Sequence, residues 1–100
     1  MVNWKSIRIK KGNYGFDLKF EVIEDGERKD LTGITPTLKV YRSGSLFLSK
    51  TCSVSGGYVV CHVDEGDFDE VGVYEAEIEL SKEGYLEDTE TFIIEVEPTV

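Results

Sequence analysis

Histidine, cysteine, proline, methionine and tryptophan are scarce in this chain: one His, two Cys, two Pro, one Met and one Trp among 100 residues. A closed zinc site needs four convergent ligands, which Cys52, Cys61 and His62 do not supply from their strand and turn positions. A cysteine nucleophile served by a histidine base is excluded as well. Cys61 and His62 are adjacent in an alternating segment, so their side chains leave on opposite faces. No apolar run approaches the ~20 residues of a membrane span; the longest lies around Val59 to Cys61. The opening "MVNWKSIRIKKG" carries cations without the hydrophobic segment of a secretory signal, so synthesis in a cytosol is expected.

Cations are also scarce in the second half. Residues 1–50 hold ten Lys/Arg and six Asp/Glu, a balance of +4, whereas residues 51–100 hold one Lys and fourteen Asp/Glu, a balance of −13. The total of −9 argues against nucleic acid, which demands a basic face. Two arrangements fit the polarity. Neighbouring strands from the two halves neutralise one another, or an acidic face docks on a basic partner or on the basic part of another copy.

What the chain has in quantity is alternation. "SIRIK" sets Ile7 and Ile9 against Arg8 and Lys10, and "FDLKFEVI" sets Phe16, Leu18, Phe20 and Val22 against Asp17, Lys19 and Glu21. Turn residues follow at 11–15, 24–27, 42–45, 55–57 and 81–85, with further strands expected at 37–41, 46–54, 58–63, 73–80 and 89–96. With 40% hydrophobic residues, no linker and no repeat, residues 1–100 read as a single packed domain that removes roughly 60–68% of its unfolded surface from water. Seven antiparallel strands, each with one apolar face to cover, imply an all-β sandwich of two sheets. The one window for a helical turn is the connector "DEGDFDEVG", with Phe68 and Val71 tucked beneath it. Expected core residues include Phe20, Leu38, Ile78, Phe92 and Ile94, and Pro36 fits only near a strand start or an edge.

In "TCSVSGGYVVCHV", Gly56-Gly57 suits a two-residue turn that needs positive φ at both central positions. Residues then pair when their numbers sum to 113, which sets Cys52 opposite Cys61 with α-carbons ~4.5 Å apart in a non-hydrogen-bonded pair. Cys52, Val54, Val59 and Cys61 share one face, expected to be the core face. Whether the two sulfurs are buried thiols or a bridge stays open at this point. A bridge would contribute roughly 2–3 kcal/mol in the chain-entropy view.

The acidic connector invites a calcium reading that fails on spacing. With Asp67 and Asp69 at loop positions 1 and 3, Gly72 falls at 6, but Val71 falls at 5 and Ile78 at 12, where a carboxylate is required. The pairs of carboxylates available between Asp64 and Glu70 are too many for any one to stand out as a glycosidase pair. No catalytic residue, metal or cofactor is expected. The aromatic side chains with most reason to be part-exposed, and so to meet a partner, are Trp4, Tyr58 and Tyr85; single exposed aromatics also serve as local lids.

"EVGVYEAEIEL" is similar to the tyrosine corner of immunoglobulin-like sandwiches, met here as Glu70, Gly72, Tyr74 and Ala76. The resemblance implies a Tyr74 hydroxyl bonded to upstream backbone. Ala76 stands where an antibody domain has its second cysteine, so the usual inter-sheet bridge is absent, as is the core tryptophan. With "KGNYGFDLKF", "DLTGIT" and "TETFIIEV" added, the chain from about Ile7 to Val96 resembles the immunoglobulin-like N-terminal module of phage baseplate upper proteins and related tail components. That resemblance implies a non-enzymatic virion protein of baseplate, tail or capsid surface. Such a protein would dock on other virion proteins or on further copies of itself, with no nucleic acid or membrane partner. The structural residues would be Tyr74, Gly72, Cys52 and Cys61. The alternative on the same fold is a cell-surface adhesion or carbohydrate-binding module.

Overall fold

The computed structural model describes residues 6–99. Its strands are β1 (Ser6–Lys10), β2 (Phe16–Phe20), β3 (Ile23–Glu24), β4 (Glu27–Arg28), β5 (Thr35–Arg42), β6 (Ser45–Thr51), β7 (Ser53–Ser55), β8 (Tyr58–Val63), β9 (Gly72–Lys82), β10 (Tyr85–Asp88) and β11 (Phe92–Glu97). The larger sheet runs β1-β11-β9-β5-β6, with β10 on β9 beyond the end of β11; the smaller runs β2-β8-β7, and β3-β4 form a separate hairpin. The fold is an immunoglobulin-like all-β sandwich. One pairing departs from the antiparallel expectation: β1 lies parallel to β11.

The alternation seen in the sequence becomes burial. Leu38, Val40, Tyr74, Ala76, Ile78, Leu80, Ile94 and Val96 cover one inner face, and Leu18, Phe20, Val59, Cys61 and Val63 the other. Phe20 and Phe92 meet between the sheets with ring centroids 5.2 Å apart. All five of the core residues named from the sequence are fully or almost fully buried. Truncating one such aromatic to alanine typically costs about 3–5 kcal/mol.

Hairpin turns use glycine for its backbone. Gly56 and Gly57 have φ of +60° and +83°, as a primed two-residue hairpin turn requires, and the register that follows is Val54↔Val59 and Ser55↔Tyr58. Asp25 and Gly26, at +54° and +79°, turn the small β3-β4 hairpin in the same way. Pro36 is the second residue of β5, where its carbonyl accepts the Cys52 N–H at 2.8 Å and its missing N–H breaks no ladder.

Several local expectations are corrected. Among the described residues no helix occurs: the 64–71 connector is an irregular turn closed by Asp67 N–H to Asp64 O. Phe68 is buried beneath it, but Val71 is 44% exposed. Val54 is 37% exposed because β7 is a three-residue strand at the edge of the smaller sheet. The run from Phe16 to Ile23 breaks after Phe20, and the run from Leu46 to Val54 breaks at Cys52.

Between β10 and β11 the ladder on β9 is interrupted, and Thr89 fills the gap. Its N–H donates to Ile78 O, and the Ile78 N–H donates to Thr89 Oγ1, both at 2.9 Å in a buried setting. A buried N–H left without an acceptor costs about 1–3 kcal/mol. Thr89→Val should therefore lower stability by that amount in urea denaturation, while Thr89→Ser, which keeps the hydroxyl, should lose much less.

Candidate functional site

Three clusters bring polar or aromatic groups together, and each is assembled from different strands. In the first, Tyr74 on β9 is fully buried, and its hydroxyl donates to the Glu70 carbonyl at 2.6 Å. The loop that enters β9 is thereby tied to the strand it feeds. Burial pushes the phenol of Tyr74 above its ordinary value, so it stays a neutral donor. Phe47 packs on its ring at 4.8 Å between centroids, and the Arg42 guanidinium lies 5.5 Å from the ring centre while pairing with the Glu70 carboxylate at 3.4 Å. Gly72 lies outside the left-handed region, and a methyl there would meet Arg42 and the Tyr74 ring only at ordinary contact distances of 3.5–3.7 Å.

The second cluster is the cystine. Cys52 and Cys61 are disulfide-bonded with α-carbons 4.7 Å apart. Cys52 is the residue at which the chain leaves the larger sheet and enters the smaller. Its N–H still bonds to Pro36 of β5, and its sulfur is joined to β8.

The third is the acidic connector. Lys50 sits at an inward position of β6, opposite Leu38, and crosses to the loop after β8. Its ammonium donates to His62 O at 2.6 Å, to the Asp64 carboxylate at 2.9 Å and to Asp67. Burial opposes the charge on Lys50, but Asp67 and Asp64 outweigh it and hold its pKa above the usual value. Asp64 is lowered in turn, chiefly by its hydrogen bond from Lys50. An internal ammonium thus stands where a cation bound by these carboxylates would stand. Among the described residues, no group of three His, Cys, Asp or Glu side chains is arranged to hold a metal, and no cavity opens.

The aromatic candidates are separated. Trp4 lies outside the described residues. Tyr58, on the outer face of the smaller sheet, has Arg28 4.5 Å and Lys19 5.3 Å from its ring centre, and its hydroxyl accepts from Arg28 at 3.0 Å. Tyr85 has Lys29 and Lys82 at 5.1 Å and 5.7 Å. Lys50 and Arg42 were not singled out in the sequence. Lys50 did carry a signal: it is the one charge in the set Leu48, Lys50, Cys52, whose parity points inward.

The family model of the BppU N-terminal domain matches residues 2–100. No curated protein sequence matches the chain. The fold is shared with the crystal structure of CopC from Methylosinus trichosporium OB3b, at a TM-score of 0.54 and 13% identity over 91% of this chain and 84% of that one.

The buried phenol generates a pH-dependent expectation. Tyr74→Phe should cost about 1–2 kcal/mol at neutral pH, the loss of a buried hydrogen bond. Because the folded pKa is raised, this contribution is fully present below the unfolded value of about 10 and is lost as pH rises through the folded value. Chemical denaturation of both proteins from pH 7 to 11 should show the stability gap narrowing above pH 10; equal stability at pH 7 contradicts the role of the hydroxyl.

Proposed function

The chain belongs to the BppU N-terminal domain family, that of the phage baseplate upper protein, and on that premise we propose that it is a non-enzymatic brick of the virion. In this reading residues 1–100 act as one sandwich domain that docks on neighbouring virion proteins. The family match over residues 2–100 is the observation that carries the reading.

The geometry agrees with it. The polar side chains that converge, around Tyr74 and around Lys50, are turned toward one another as structural contacts and present no group to a substrate. Tyr74 and the Cys52–Cys61 bridge hold the loop into β9 and the crossover between sheets. Tyr58 and Tyr85, each faced by two cations of the same chain, serve as local lids. That leaves little for the alternative of a carbohydrate-binding or adhesion module, which would need an open aromatic platform.

Antibody raised against the chain should label the baseplate end of purified virions of the phage that encodes it, and mass spectrometry of those particles should recover it in fixed proportion to the tail proteins. Particles that lack the chain contradict the reading.

A further inference from the structure

The outer face of the larger sheet carries a strip of side chains that the fold itself does not use. Cross-strand register sets Leu46 of β6 opposite Tyr41 of β5, Tyr41 opposite Glu75 of β9, and Glu75 opposite Ile93 of β11. Val73 stands two residues from Glu75 on the same face. Leu46 is 57% and Val73 63% exposed, and Tyr41 and Ile93 are half-buried. Exposed apolar residues scattered singly need no explanation. Leu46, Tyr41 and Ile93 lie on one register line, ~15 Å across at the usual strand spacing, with Glu75 between Tyr41 and Ile93 and Val73 one diagonal step away on β9, and together they form a strip.

The charges on this face separate Glu75 from every other acid there. Glu77, Glu79 and Asp88 share the Lys39 ammonium at 3.6, 3.0 and 3.2 Å. Glu95 pairs with Arg8 and Glu97 with Lys10, each at 3.8 Å. Among the described residues, Glu75 alone on the outer face has no cation, and it sits in the middle of the apolar strip. A two-fold axis through the strip would bring two Glu75 carboxylates together, which disfavours a second copy as occupant.

We propose that this strip is the docking surface for another virion protein, one that offers an arginine or lysine to Glu75 from within an apolar rim. The arrangement is that of an interface centre: an apolar contact area around one charge that no described residue of the chain neutralises. The proposal rests on the reading of the chain as a virion brick and adds the face it uses and the chemistry of its partner.

The test is complementation of a phage with a nonsense mutation in the gene for this chain, using plasmid-borne full-length variants and quantitative mass spectrometry of purified particles. Wild type should be incorporated. Glu75→Lys should reduce incorporation at least tenfold and Val73→Gln several-fold, with melting temperatures unchanged. Glu65→Lys makes the same charge change on an exposed connector residue and should be incorporated like wild type. If Glu75→Lys is incorporated like wild type, this inference is overturned and the virion reading survives. If wild type itself is absent from particles, the virion reading falls and takes the docking face with it. A dimer of the purified chain in sedimentation that Glu75→Lys dissociates would assign the strip to a second copy and likewise overturn the proposal.

Discussion

The structure depends on one constraint: each sheet has an apolar face, and only the other sheet covers it. Phe20, Leu18 and Val59 from the smaller sheet and Ile78, Phe92 and Ile94 from the larger exclude water from the same interior. Everything polar is arranged around that contact. The chain passes between the layers at Cys52, where a backbone bond to β5 and a sulfur bond to β8 hold one residue in both sheets. Lys50, two residues earlier, crosses the same gap and ties the connector after β8.

Charge follows topology. A chain whose first half is basic and second half acidic would be a strong dipole if its halves lay apart. Here β1 lies beside β11 and β5 beside β9, so first-half cations meet second-half carboxylates across strand pairs. Arg8, Lys10, Lys39, Arg42 and Lys50 all find acids from beyond residue 63. Most of these pairs are solvent-exposed and individually worth ~0–1 kcal/mol. Their larger effect is on the outer face of the larger sheet, where among the described residues they leave Glu75 as the acid without a cation.

The strands and the hairpin register were legible because period-two alternation and a Gly-Gly pair are local signals. Cys52 and Cys61 could be set opposite one another from numbering alone, though their bonding could not, since that depends on oxidation and not on register. Tyr74 was legible through the spacing of Glu70, Gly72 and Tyr74, which resembles a known corner. Other features depend on partners distant in sequence. The bulge between Val40 and Tyr41 turns Leu46 outward and lets Phe47 reach Tyr74, and nothing in "SGSLFLSK" marks it. The exposure of Val54 follows from β7 being a short edge, and the isolation of Glu75 follows from which cation each neighbouring acid meets. The connector offered a window for one helical turn because its apolar spacing fits one; the structure makes it an irregular turn held by Asp64, Asp67 and Lys50.

The central claim is that the two sheets stand or fall together. Native-state hydrogen exchange measures it most directly. Amides of Ala76 and Ile78 in the larger sheet and of Val59 and Cys61 in the smaller should exchange with one common free energy, equal to that of global unfolding. If the β8 amides open several kcal/mol more easily while β9 stays protected, the layers separate independently and the account is wrong.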